Sequence, residues 1–329
     1  MIDFKKSEFP VVSICCITYN HAKYIKSALD GFLKQYTDFD YEILIHDDCS
    51  TDGTTDIIKE YAERYPDVIF PLYEDENQWV KGRRGNIEFN YPRARGKYIA
   101  LCEGDDYWTD EYKLQKQVDL LESNQHAGMC YTKVLKYDEE KGRMIGEWGG
   151  PYTEYKDMIL KGNTVPTLSN LIRKDIYTSY LSEVFKNNRW KMGDYPIWIY
   201  VALKESVIFL NEVTGVYRIL NESASHSRNS SRWLDFQMSY KDVKEFYLLR
   251  YPIDGVKFDN LEIALFKQVL RRRTLYSPEL MHAGLEVLNK IENITFCKRI
   301  FYKMLINNGF LNLILKYTYK LYDLIKAFK

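Results

Sequence analysis

The sequence predicts an α/β fold: a mainly parallel central sheet flanked by helices, followed by a helical C-terminal appendage. Three observations carry this. From Val11 to Tyr137, short β-prone apolar runs alternate with stretches of helical periodicity. The polar clusters of that region each follow a strand, at the end where open parallel sheets gather their ligands. After about Ser230 the chain turns to longer helical patterns with few glycines and a local basic excess.

Taken in order, Val11-Val-Ser-Ile-Cys-Cys-Ile-Thr18 is an unbroken β-prone run, as expected of a strand buried on both faces. Asn20 then offers an N-cap to a helix whose Ile25, Ala28, Leu29, Phe32 and Leu33 recur at helical spacing. Tyr41 to His46 makes the second strand. Asp47-Asp-Cys-Ser-Thr-Asp-Gly-Thr54 follows as a turn rich in capping residues and leads into a helix through Ile57, Ile58 and Tyr61. Val68 to Tyr73 is a third strand, and its Pro71, which has no N–H to donate, suits an edge. Lys97 to Cys102 and Ala127 to Tyr137 are the fourth and fifth, with a helix over Thr109 to Leu121 between them.

With 46 basic and 46 acidic side chains the formal net charge is zero, so bulk electrostatics attract no polyanion, and nucleic acid is not an expected partner. The six cysteines, at 15, 16, 49, 102, 130 and 297, have no metal-ligand spacing, and several fall in predicted strands as small hydrophobes. Reduced thiols, an N-terminus without an apolar leader and no run of 18 apolar residues lead to the expectation of a cytoplasmic protein. No Gly-x-Gly-x-x-Gly follows the first strand, and no Gly-x-x-x-x-Gly-Lys-Ser/Thr occurs, which argues against dinucleotide dehydrogenases and P-loop enzymes.

The segment Lys97-Tyr-Ile-Ala-Leu-Cys-Glu-Gly-Asp-Asp-Tyr-Trp108 runs an apolar strand into Glu103, Asp105 and Asp106. Carboxylates this close repel one another unless water screens them or a cation sits among them. A hard divalent ion, Mn²⁺ or Mg²⁺, fits and would carry phosphate oxygens in the rest of its shell. The same residues also suit an acidic turn that caps the next helix. Further on, Asp194 in Met192-Gly-Asp-Tyr-Pro196 stands before the apolar stretch Ile197 to Leu203, where it can be an N-cap, a functional carboxylate, or both.

Three segments, Val12 to Asn20, Ile45 to Thr54 and Gly96 to Trp108, together resemble family 2 glycosyltransferases of the GT-A, Rossmann-like fold in order and spacing, over roughly Pro10 to Ser227. The resemblance implies inverting transfer of a sugar, most readily from a UDP-sugar, to a hydroxyl of a glycan or lipid-linked acceptor in surface polysaccharide assembly. It implies that Thr18, Tyr19 and Asn20 border the nucleotide, that Asp48 with Asp47 bonds the base, and that Arg84, Glu103 and Asp105 attend the nucleotide sugar. Asp106, with Asp105 and His226, is implied to hold the metal. Many relatives carry Asp where this chain has Glu103. Asp194 matches the position of the family's general base, and Arg218 stands where phosphate charge is offset. Trp108 and Trp190 are expected on the acceptor side, as rings able to stack on a sugar. On this reading, residues 1–229 form the catalytic domain, with a nucleotide-sugar half (about 10–108) and an acceptor half (about 109–229), and residues 230–329 a helical region.

In that region Ile314, Tyr317, Leu321, Leu324, Ile325 and Phe328 share one helical face, with Lys316, Lys320 and Asp323 opposite. Such a helix either docks on its own domain or lies peripherally on anionic lipid at the inner face of the plasma membrane. The alternatives to a transferase are a catalytically degenerate nucleotide-sugar binder and a sugar nucleotidyltransferase. The latter usually places a glycine- and basic-rich loop where Thr18-Tyr-Asn-His21 stands.

Overall fold

The computed structural model describes residues 9–187, 190–220 and 230–256. They fall into two compact units: residues 9–187 with Gly193–Leu220, and Trp190–Met192 with residues 230–256.

The first unit opens with β1 (Val12–Thr18), α1 (Ile25–Leu33), β2 (Tyr41–Asp47), α2 (Thr54–Arg64) and β3 (Ile69–Tyr73). A π-helical turn, Gly85–Asn90, continues into the short α3 (Tyr91–Arg93), before β4 (Tyr98–Leu101), β5 (Tyr107–Trp108) and α4 (Lys113–Ser123). Then come β6 (Ala127–Asp138), β7 (Arg143–Trp148), α5 (Tyr155–Lys161), β8 (Leu171–Arg173), α6 (Lys174–Glu183), α7 (Tyr195–Lys204) and β9 (Ser206–Ile219). The second unit contributes α8 (Ser230–Arg250).

Among the described residues the strands make one sheet in the order β3-β2-β1-β4-β8-β6-β9-β5, with β7 beside β6. Parallel pairing runs through β3-β2-β1-β4, and again between β6 and β9. Because β1, β2 and β4 are covered on both faces, Val12, Ile14, Cys15, Ile43, Ile45, Tyr98 and Ile99 have no exposure at all, which is why these strands read as continuous apolar runs. β3 is the edge strand that Pro71 required. The short β8 pairs antiparallel with both β4 and β6, and β9 turns back to pair antiparallel with β5. β5, β7, β8 and β9 are not among the predicted strands, although the 14 residues of β9, SVIFLNEVTGVYRI, are β-prone enough to have shown one. Two residues of β5 and three of β8 are too few to show a period.

Asn20 departs from its expected capping role. The helix begins at Ile25 with no side-chain cap, while Asn20 takes a left-handed backbone (φ 55°) and turns its amide to the neighbouring loop. Cys15, Cys16, Cys102 and Cys130 are buried free thiols, and burial pushes each of them up. Among the described residues no helix is long and apolar enough to cross a membrane. His226 and the basic helix expected around Lys316 lie outside the described residues.

Candidate active site

The acidic segment leaves β4 and is stitched onto the end of β1. Cys102 N–H donates to Cys15 O at 3.3 Å and Gly104 N–H to Ile17 O at 2.9 Å. A Cβ at position 104 would lie 2.6 Å from Thr18 Oγ1, so glycine alone lets the motif rest on the strand. Asp106 N–H donates to Glu103 O at 3.1 Å and closes the turn. One oxygen from each of Glu103, Asp105 and Asp106 then lies within 4.8 Å of the others.

These carboxylates have few donors. Burial first, then Asp105 and Asp194, push the Glu103 carboxyl up to about 8. Burial, Asp105 and Glu103 push Asp106 well above the usual carboxylate range, against a smaller pull from Arg218. Asp105 Oδ1 is buried with no hydrogen-bond partner among the described residues. Three hard oxygen donors, one of them orphaned, fit a divalent cation of the Mg²⁺ or Mn²⁺ type.

Arg218, near the end of β9, fastens this motif from the other side. Its backbone N–H donates to Asp106 Oδ1 at 2.8 Å and its guanidinium to Asp105 O at 2.6 Å. The same guanidinium stacks 4.4 Å from the Tyr107 ring centre and 5.2 Å from that of Tyr24, and reaches Glu139 at 3.8 Å. Sequence reasoning placed Arg218 near phosphate; in the structure its donors serve the acidic turn.

The ends of β1 and β2 form the neighbouring wall. Thr18 is buried, its carbonyl accepting Asp48 N–H at 3.0 Å, and Tyr19 is exposed beside it. Asn20 N–H donates to Ser50 Oγ at 2.9 Å, and Asn20 Oδ1 accepts Thr51 N–H at 2.8 Å. Asp47 accepts from Ser50 Oγ and Thr55 Oγ1, each at 2.5 Å, and from Ser50 N–H at 3.2 Å. Asp48 accepts the backbone N–H groups of Gln78 at 2.6 Å and Trp79 at 3.1 Å, one on each oxygen. Both aspartates therefore shape the loops of this wall. Arg84 stacks on Trp79 at 4.7 Å and lies, like Asp194, within electrostatic reach of Tyr180.

Asp194 immediately precedes α7, yet its side chain caps no helix N–H. Instead Oδ2 accepts Asn163 Nδ2 at 3.1 Å and Thr167 Oγ1 at 3.0 Å. The pure N-cap reading thus fails on geometry, and Asp194 is near enough to Glu103 to raise its carboxyl.

One aromatic expectation changes. Trp108 is 3 % exposed, its Nε1–H donating to Leu168 O at 2.7 Å and its ring packed edge-on to Phe32 and against Lys113 Nζ at 4.2 Å. No ring face remains for a sugar, because an indole following a buried strand is absorbed by the core. Trp190 belongs to the second unit, where it meets Phe246 edge-on at 5.1 Å. Asn163 and Thr167 were missed as individual site residues, since they lie in an aperiodic loop between α5 and β8 and reach Asp194 only through the fold.

Residues 13–180 match the model of the family described as Glycosyl transferase family 2. The chain belongs to that family. An uncharacterized protein of Mycobacterium tuberculosis (strain ATCC 25618 / H37Rv) is 35 % identical over 232 residues, covering 67 % of this chain and 62 % of the relative. The chain thus spans less than two thirds of that mycobacterial protein's length. The putative teichuronic acid biosynthesis glycosyltransferase TuaG of Bacillus subtilis (strain 168) is 25 % identical over 245 residues, 73 % of this chain and 91 % of TuaG. Among solved structures, S. aureus TarS 1-349 in complex with UDP-GlcNAc superposes with a TM-score of 0.58 at 16 % identity, covering 85 % of this chain and 80 % of TarS. The mannosyltransferase PcManGT of Pyrobaculum calidifontis, in complex with GDP-Man and Mn²⁺, gives 0.50 at 15 % identity over 94 % of this chain and 88 % of that one. The fold is of the GT-A type.

Proposed function

We propose that this chain is an inverting glycosyltransferase that moves a sugar from a nucleotide diphosphate donor, a UDP-sugar, to a hydroxyl of a glycan or lipid-linked acceptor in surface polysaccharide biosynthesis. The observation that carries the reading is the pairing of an under-satisfied acidic cluster, Glu103, Asp105 and Asp106, with a separate carboxylate, Asp194, whose side-chain hydrogen bonds among the described residues fall on one oxygen. Family membership supports it, as do the UDP-GlcNAc bound by TarS and the polymer named for TuaG.

In this mechanism Asp194 takes the proton of the acceptor hydroxyl as that oxygen attacks the anomeric carbon. The new O–C bond forms in line as the bond to the diphosphate breaks, and the electron pair departs with the nucleoside diphosphate. Asp106 and Asp105, with Glu103, would hold a Mn²⁺ or Mg²⁺ ion, His226 being a further ligand implied by the family alone, and that ion would supply charge neutralisation on the leaving diphosphate. Thr18, Tyr19 and the loops shaped by Asn20, Asp47 and Asp48 receive the nucleotide, and Arg84 lies toward the donor. The tail sequence supports peripheral attachment to anionic lipid on the cytoplasmic side, for which the full chain should sediment with phosphatidylglycerol vesicles and not with phosphatidylcholine alone.

The test is a thermal titration of the full chain with UDP-, GDP- and dTDP-sugars, with and without Mn²⁺. A metal-dependent rise with one nucleotide is expected, and Asp194→Asn should keep that rise while turnover falls by about 10²–10⁴-fold. Loss of the rise in that variant would remove Asp194 from catalysis and assign it to donor binding. Absence of any rise would favour a degenerate binder or a donor outside the panel.

A further inference from the structure

We propose that Asn163 and Thr167 are positioning residues that orient Asp194 for proton abstraction, and that the loop carrying them is locked to the acidic motif through Trp108. The inference rests on the reading of Asp194 as general base.

An aspartate just before a helix ordinarily accepts a backbone N–H of the first turn. Asp194 keeps only its main-chain part of that arrangement, its carbonyl accepting Ile197 N–H at 2.9 Å and Trp198 N–H at 3.3 Å. The carboxylate is turned to the 163–170 loop, where Asn163 Nδ2 and Thr167 Oγ1 both donate to Oδ2. Two donors on one oxygen fix the carboxylate plane and leave Oδ1 as the oxygen without a hydrogen bond among the described residues. Thr167 is β-branched, so its hydroxyl is held by a stiff χ1. Both donors are neutral and balance no charge, so their effect on Asp194 is directional.

The loop itself is anchored to an unusual degree. Trp108 Nε1–H donates to Leu168 O at 2.7 Å, Gln117 Nε2 to Ser169 O at 2.8 Å, and Lys113 Nζ to Asn170 O at 3.5 Å. Asn170 Nδ2 donates back to Thr167 O, and Ser169 N–H to Pro166 O at 3.0 Å. Lys113, Gln117, Ser169 and Asn170 are fully buried, so these bonds are made away from water, where an unmade partner costs most. Trp108 lies two residues from Asp106. One rigid connection therefore links the residues that hold the metal to the residues that aim the base. In-line transfer needs such a fixed relation, since a misplacement of about 1 Å can cost on the order of 10²-fold in rate.

The experiment measures nucleoside diphosphate release from UDP-GlcNAc, UDP-glucose and GDP-mannose with Mn²⁺, water serving as acceptor, for wild type, Asp194→Asn, Thr167→Val, Thr167→Ser and Asn163→Leu. For Thr167→Val and Asn163→Leu, kcat should fall by roughly 10- to 10²-fold with donor KM unchanged. Thr167→Ser should recover most of the rate. A raised KM with unchanged kcat, or a drop in kcat with no recovery by serine, overturns the positioning role and leaves the base assignment standing. Release no faster from wild type than from Asp194→Asn with every donor removes the base assignment, and this inference with it. Circular dichroism melts separate these outcomes from misfolding, and Asn163→Leu keeps the test open if valine at 167 unfolds the loop.

Discussion

Two pairs of adjacent aspartates end neighbouring parts of the sheet, Asp47-Asp48 after β2 and Asp105-Asp106 after β4, and their surroundings are opposite. Asp47 and Asp48 are saturated: Ser50, Thr55 and the backbone of Gln78 and Trp79 point donors at them. Asp105 and Asp106 share their turn with Glu103; Asp106 receives one backbone N–H from Arg218, and Asp105 Oδ1 receives nothing from the described residues. A carboxylate given donors becomes part of the scaffold. A group of carboxylates denied them repels itself and holds its protons more tightly, and its oxygens stay available to a cation. The same dipeptide thus builds a wall in one place and a candidate ligand site in the other.

The largest effect that tests this contrast is expected at Asp106. Asp106→Asn should cut turnover on the order of 10³-fold and remove metal-dependent donor binding. It should also leave the metal-free protein as stable as wild type or more so, because a repelling charge has gone. Asp47→Asn should do the reverse, lowering stability by about 1.5–3 kcal/mol in chemical denaturation while metal dependence persists. If Asp106→Asn destabilises the metal-free protein as much as Asp47→Asn does, the distinction between scaffold and ligand site is wrong.

A smaller effect concerns Lys113, buried without exposure beneath Trp108 and pushed down to about 7 by that burial. Between about 7 and its ordinary 10.5 the folded state binds fewer protons than the unfolded chain, so this group makes stability rise with pH. Glu103, pushed up to about 8, and Asp106, also pushed up, act in the opposite sense within that range, and Cys16 and Cys102 do so above 9.0, so Lys113 is read as the difference in slope between variant and wild type from pH 7 to 9. Lys113→Met should lower the slope there, by at most about 1.4 kcal/mol per pH unit, measured by urea denaturation across the window. An unchanged slope would show that Lys113 does not titrate in this range.

The parallel half of the fold was legible because β1, β2 and β4 are covered on both faces and are therefore mostly apolar, with Ser13, Glu42 and His46 as buried exceptions. β8 was not, since three residues spanning β4 and β6 carry no periodicity of their own. Asp105, Asp106 and Asp194 were visible as carboxylates next to predicted element ends. Trp108 was misread because a ring next to a polar motif looks the same in sequence whether it faces solvent or the core.

The sequence by itself determined the apolar strands, the placing of charge at their carboxyl ends and the family to which the chain belongs, because burial and local repulsion act over neighbouring residues. Only the tertiary structure decided which carboxylates find donors. Gln78 and Trp79 reach Asp48, Asn163 and Thr167 reach Asp194, and Arg218 reaches Asp106 from more than a hundred residues away. Hydrogen bonds form across a few ångströms of space, and separation along the chain does not record that distance.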